Sequence, residues 1–216
     1  EITDIPLIEY VAAKGKPIII STGIAEIEDI ELALNTCRKI GNNDIALLKC
    51  TSSYPAPVQE ANMSMIKDLA NRFDVITGLS DHTLGSVVPI VATCLGAKII
   101  EKHFILNHSI GGPDSSFSLD ESEFTKMVNN IRNAESAIGS VDYNLTEKQI
   151  IGKRFSRSLY VVNNIKIGEI FTEKNVKPIR PGFGLHPKFY NQILGKVSNS
   201  NLSKGTRFNL NYISNE

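Results

Sequence analysis

Four times in succession the sequence runs from a short apolar stretch, through a polar loop, into a segment with apolar residues at helical spacing. Pro17 to Ile20 leads through Ser21-Thr22-Gly23 into EIEDIELALNTCRKI, with acids in its first turn. Ile45 to Cys50 leads through the proline-punctuated loop TSSYPAP into NMSMIKDLANRF, a helix predicted to begin near Asn62. Val75 to Leu79 leads through the loop Ser80-Asp81-His82-Thr83 into GSVVPIVATCLG, and AKIIEKHF leads through LNHSIGGPDSSFSL into a helix from about Asp120 to Ile138, stopped by Gly139. Helical crossovers between consecutive strands require those strands to be parallel. A helical stretch from Asp4 to Ala13 stands before the first strand. The predicted fold class is therefore α/β, as either a small doubly wound sheet or half of a TIM (β/α)8 barrel. Serine, threonine or histidine closes each apolar run, which spreads polar chemistry along the C-terminal strand ends and favours the barrel over a sheet with a single switch point.

After Gly139 the texture changes. Residues 141–155 read as a polar linker, and from about Ser156 to Ile213 short apolar runs alternate with Asn-Asn and Gly turns, which reads as a small β-rich domain with a short helix around Lys188 to Leu194. The predicted division is thus 1–140, 141–155 and 156–216. Lys and Arg total 23 and Asp and Glu total 23, so the net charge is zero, which excludes a protein that coats nucleic acid. No apolar run is long enough for a membrane span, and no secretory leader is recognisable at Glu1. Cys37, Cys50 and Cys94 are too scattered for a disulfide framework; each sits in an apolar stretch where a buried thiol is expected, and a cytoplasmic setting fits.

The sharpest candidates for chemistry are His82 and His103. Each follows an apolar strand, and about one βα unit separates them, so neighbouring strands would present both imidazoles at one rim. Two neutral histidines there suit a divalent metal such as Mn²⁺ or Zn²⁺, with open positions for water or substrate; the competing reading is two unrelated histidines. Ser21, Ser52, Ser53 and Ser80, with Thr22, lie at strand ends that precede helices, where a phosphate or carboxylate is favoured, although helix capping alone explains any one of them. Glu101 shares strand parity with His103 while Lys102 points to the other face. A carboxylate at Glu101 can orient a metal ligand or hold substrate, or it is a plain surface acid. Asp114 sits on a loop over the same rim, Tyr54 can form a substrate wall, and Arg180 has a surface arginine as its default reading.

Taken together, KPIIISTG, LLKCTSSYPAP, GLSDHTLG, IIEKHF and GGPDSSFSL, followed by RSLYVV and IRPGFGL, resemble the sialic acid synthase family of bacterial nonulosonate biosynthesis. The likeness runs along essentially the whole chain. Within the family, GGPDSSFSL and KCTSSYPAP side with the pseudaminic acid branch, whereas sialic and legionaminic acid members carry histidine where Ser115 stands here. The resemblance implies the C-terminal half of a TIM barrel followed by an SAF (antifreeze-like, β-clip) domain, in a domain-swapped homodimer that closes one chain's small domain over the other's barrel. The implied reaction condenses phosphoenolpyruvate with a 2,4-diacetamido-2,4,6-trideoxyhexose, with a divalent metal, Mn²⁺ or Mg²⁺, as Lewis acid.

Position by position, the resemblance puts His82 and His103 on the metal ligands and Ser21, Ser52 and Ser80 at the phosphoenolpyruvate site, Ser52 replacing a frequent asparagine. It puts Glu1, Tyr54, Asp114, Phe155 and Arg180 at the sugar. Glu101 is the candidate catalytic carboxylate on its strand parity. The family's earlier strands, with an Asn-His motif, a glutamate and phosphate-binding lysines, would precede Glu1, so the chain is expected to be a C-terminal portion, inactive alone. The alternatives are an N-acetylneuraminate or legionaminate synthase and, from another class, a carbohydrate- or ice-binding module without catalysis.

Overall fold

The computed structural model describes residues 1–214. The chain divides into two compact units, Glu1–Ser140 and Val141–Glu216. The first opens with helix α1 (Ile5–Ala12), capped by the Asp4 carboxylate, which accepts from the Leu7 N–H. Strands β1 (Ile18–Ser21), β2 (Ile45–Cys50), β3 (Ile76–Asp81) and β4 (Ile99–Lys102) alternate with helices α2 (Ile27–Lys39), α3 (Met65–Phe73), α4 (Val87–Cys94) and α5 (Glu121–Ile138). All pairings are parallel and the spatial order is β1-β2-β3-β4. Sequential order with right-handed crossovers keeps every helix on one face of the sheet, the winding of a barrel, whereas a doubly wound sheet reverses its order. The unit is a half-barrel.

Strand alternation divides the two faces. Ile18 and Ile20 of β1 and Ile45 and Leu47 of β2 pack with Ile8, Ala12, Ile30 and Leu34 from α1 and α2. Further along, Leu79 meets Ile66, Val88 and Ala92. Each of the buried isoleucine, leucine and valine side chains contributes about 1.5–3 kcal/mol. On the opposite face Ile19 and Ile76 are 55% and 57% exposed, and among the described residues β1 and β4 pair on one side only.

Several expectations need correction. β3 runs on through Ser80 and Asp81, where the sequence pattern predicts loop, because both pair in register with β4. α3 starts at Met65, not near Asn62: a 3-10 turn at Val58–Glu60 and the left-handed Asn62, φ 47°, intervene. Cys37 and Cys50 are buried, but Cys94 is exposed, on the same outward side of α4 as Val87 and Val91. Residues 141–155 are not plain connection; α6 (Glu147–Gly152) forms there behind a reciprocal cap between Thr146 and Gln149, followed by a 3-10 turn, Lys153–Phe155.

In the second unit β5 (Ser158–Val161) and β6 (Val176–Ile179) are antiparallel, and the short helix α7 (Tyr190–Ile193) follows a 3-10 turn. Leu159, Val161, Phe171, Val176 and Phe208 form the core, with the rings of Phe171 and Phe208 edge to face at 4.8 Å. Among the described residues no helix is long and apolar enough to cross a membrane.

Candidate active site at the strand rim

His82 stands one residue beyond β3. Its Nδ1 lies 2.9 Å from the Thr51 carbonyl oxygen, which can only accept, so Nδ1 carries a proton, and in the neutral ring the lone pair is then on Nε2. The His82 carbonyl accepts from the Ala56 N–H at 2.9 Å, tying the residue a second time to the loop after β2. His103 stands one residue beyond β4, and its Nδ1 faces Asp114 Oδ2 at 3.5 Å. The two rings are 5.2 Å apart at 69°. Tyr54 leans on His82 at 4.2 Å, and Phe117 lies edge-on 5.0 Å from His103. A histidine with Nδ1 directed at a carbonyl or carboxylate and Nε2 left free is the usual form of a metal-ligating imidazole, so this donor set fits a divalent ion.

Below the histidines, Ser80 and Glu101 are register partners, and the Ser80 hydroxyl donates to Glu101 Oε1 at 2.7 Å. Glu101 is itself exposed, Ser80 buried. On the other face of the same strands Lys102 Nζ meets Asp81 Oδ2 at 2.7 Å, with both side chains at most 1% exposed. Asp81 Oδ1 also accepts from the Thr83 N–H at 2.9 Å, and Lys102 Nζ donates to the Thr83 carbonyl.

The remaining candidates are dispersed. Ser21 ends β1 and lines a 290 Å³ cleft together with Glu1. Ser52 is exposed in the loop after β2, with Gly23 leaving room for its hydroxyl: a Cβ there would stand 3.0 Å from Ser52 Oγ. Asp114 opens a turn in which its carbonyl accepts from both the N–H and the hydroxyl of Ser118. Direct contacts thus join His82, His103, Tyr54 and Asp114. Phe155 and Arg180 belong to the second unit, where both are exposed. There the Arg180 loop is held by Ser158, whose hydroxyl donates to the Pro181 carbonyl and accepts from the Gly184 N–H.

Sequence reasoning missed Phe117, which packs against both histidine rings, although it belongs to a motif already singled out. It also missed Lys49, whose Nζ is buried beside the Cys50 carbonyl at 2.6 Å and the Thr51 hydroxyl at 3.0 Å; burial lowers its pKa, partly offset by Cys50. A third group outside the expected site is His108, Asp120 and Glu123, whose donor atoms lie within 4.8 Å of one another. There His108 Nε2 is spent on Glu123 Oε2 at 3.0 Å, and Asp120 caps α5. A cleft of 880 Å³ opens at the opposite, N-terminal ends of the strands, around Pro17, Asp44, Val75 and Lys98.

Residues 1–143 match the NeuB family, and residues 156–207 match the SAF domain. The chain belongs to the NeuB family. Among its NeuB relatives, the pseudaminic acid synthase of Helicobacter pylori is 47% identical over 95% of this chain and 61% of its own length. The N,N'-diacetyllegionaminic acid synthase of Legionella pneumophila is 36% identical over 95% of this chain and 59% of its own length. Among solved structures, the spore coat polysaccharide biosynthesis protein SpsE of Bacillus subtilis aligns with 100% of this chain and 66% of its own at a TM-score of 0.62 and 35% identity. The N-acetylneuraminic acid synthetase of Leptospira borgpetersenii aligns with 71% of this chain and 54% of its own at a TM-score of 0.64 and 32% identity. The chain therefore spans about three fifths of the length of the curated NeuB relatives it matches.

Proposed function

We propose that this chain serves a pseudaminic acid synthase, which condenses phosphoenolpyruvate with 2,4-diacetamido-2,4,6-trideoxy-L-altrose. A bond forms between C3 of phosphoenolpyruvate and C1 of the open-chain sugar, water adds at C2, and C–O cleavage releases phosphate and the nine-carbon 2-keto acid. The observation that carries this reading is the paired His82 and His103, each with Nδ1 turned to an oxygen and the rings 5.2 Å apart. The 47% identity to the Helicobacter pylori pseudaminic acid synthase, against 36% to the legionaminic acid synthase, favours this substrate over the other branches.

His82 and His103 hold the divalent metal, and nitrogen donors favour Mn²⁺ over Mg²⁺. When bound, the ion supplies Lewis acidity to the sugar aldehyde. Ser21, Ser52 and Ser80 hold phosphoenolpyruvate, and Ser80 orients Glu101, the catalytic carboxylate, toward the substrate. Tyr54, Asp114 and Glu1 contact the sugar. Phe155 and Arg180 recognise it from the small domain in a homodimer, Arg180 through an acetamido oxygen. Among the described residues the outer sides of β1 and β4 are unpaired and Ile19 and Ile76 are exposed, which supports a barrel completed by further strands, without which these 216 residues do not turn over.

The test is phosphate release from phosphoenolpyruvate with Mn²⁺ and a panel of sugars, run on the chain alone and joined to the preceding segment of a NeuB relative. The joined protein is expected to prefer the diacetamido-trideoxyaltrose. Preference for N-acetylmannosamine overturns the substrate, and turnover by the chain alone overturns the need for further strands.

A further inference from the structure

The ion pair between Asp81 and Lys102 is buried on the sheet face away from Ser80 and Glu101, and its side chains are 1% and 0% exposed. Removing two charges from water is costly, and apolar replacements of similar shape often match or exceed such a pair in stability. What the pair supplies that an apolar contact lacks is direction. Asp81 immediately precedes His82 and Lys102 immediately precedes His103, and the two are register partners across β3 and β4. The same two side chains grip Thr83 as well, Asp81 through its N–H and Lys102 through its carbonyl. The backbone of His82 is therefore fixed on both sides by one ion pair, while Lys102 ties His103 to that framework.

We propose that Asp81 and Lys102 are positioning residues that set the separation and orientation of the His82 and His103 rings. The proposal rests on the reading of those histidines as metal ligands, and it makes a separate claim about how the rings are held. With the pair in place, His82 Nδ1 reaches the Thr51 carbonyl and Nε2 is presented at the rim. Without it, the turn through Thr83 loses two of its anchors and the imidazole is free to rotate away from Thr51.

The experiment uses the full 216-residue chain. Asp81→Leu combined with Lys102→Met removes both charges while keeping approximate shape, and Asp81→Glu keeps both charges but displaces the carboxylate by one methylene. Three quantities are read: the urea midpoint, the ring-nitrogen NMR signature of His82, and Mn²⁺ affinity by water-proton relaxation. The double variant is expected to keep or raise the urea midpoint, to lose the protected Nδ1–H signal of His82, and to bind Mn²⁺ at least tenfold more weakly. Asp81→Glu is expected to shift the histidine signal in the same direction and decides the matter if the double variant does not fold. A parent-like His82 signal in folded variants overturns the proposal. If the parent chain binds no Mn²⁺, the metal reading falls, and the NMR comparison still decides whether the ion pair positions the rings.

Discussion

Thr51 and His82 are joined by a 2.9 Å hydrogen bond in which the imidazole Nδ1 donates to the backbone carbonyl. The bond links the loop after β2 to the end of β3 and selects the tautomer whose Nε2 can accept a metal. His82→Ala removes the ligand while leaving the core beneath it in place, so it should abolish Mn²⁺ binding by isothermal calorimetry with the circular dichroism spectrum unchanged. His103→Ala should do the same, since one remaining imidazole is a poor site. Undiminished Mn²⁺ affinity in either variant would remove the pair as the metal site.

Single substitutions in the ion pair should behave very differently from the double one. Lys102→Met leaves Asp81 buried without its cation, and Asp81→Leu strands the ammonium of Lys102. Each is expected to cost about 3–5 kcal/mol in urea denaturation. The two single losses should not add in the double variant, which is expected to keep the parent's stability or exceed it, the mark of a direct interaction in a double-mutant cycle. Additive losses would mean that the two side chains do not depend on one another.

Gly78 makes a steric prediction. It lies between Leu48 and Ile99 in register, and a Cβ there would stand 2.5 Å from the Ile99 carbonyl oxygen and from Leu48 Cδ2, and 2.8 Å from Ile99 Cβ. Two of those neighbours belong to the backbone or the Cβ of β4, which cannot swing aside as a side-chain tip can. Gly78→Ala should therefore lower stability by about 1–3 kcal/mol through overpacking. A urea midpoint equal to the parent's would show that β4 yields easily.

How far the sequence reveals this structure depends on the range of the interaction that decides each feature. β2 has the boundaries that its apolar run implies, and α5 ends before Gly139 as its cap signals require. The chain read as a loop from Ser80 is strand to Asp81, because apolar periodicity stops at Leu79 while backbone pairing with Glu101 and Lys102 continues. Strand parity separates Glu101 from Lys102, yet it cannot reveal that Lys102 is buried against Asp81, since that partner lies a full βα unit away. Residues 141–155 read as a polar linker because the apolar pattern behind Thr146 is too short to announce α6, whose start is fixed by the reciprocal cap between Thr146 and Gln149. Phe117 reaches the histidines only because its loop folds back, with the Leu119 N–H donating to the His103 carbonyl at 2.9 Å.

The same loop is held at its other side by His108, which yields a prediction in pH. Its Nε2 faces Glu123 Oε2 at 3.0 Å and its Nδ1 faces the Ser115 carbonyl at 2.9 Å, so both nitrogens are satisfied only when both carry protons. The Glu123 carboxylate first, and the Ser115 carbonyl second, raise the His108 pKa above the ordinary histidine value, with Asp120 adding a weaker attraction. Glu123 is lowered, first by the Asp120 N–H and then by His108. For the raised histidine, stabilisation is complete below its unfolded value and fades as pH rises through the folded one. For the lowered carboxylate, it is present above its unfolded value and fades as pH falls through the folded one. The contact should therefore be strongest between the lowered Glu123 and the raised His108 values. The stability difference between parent and His108→Gln should shrink as pH climbs through the His108 titration. A proton NMR titration of the His108 ring checks the sign directly, and a midpoint at or below that of an ordinary histidine would sink the account.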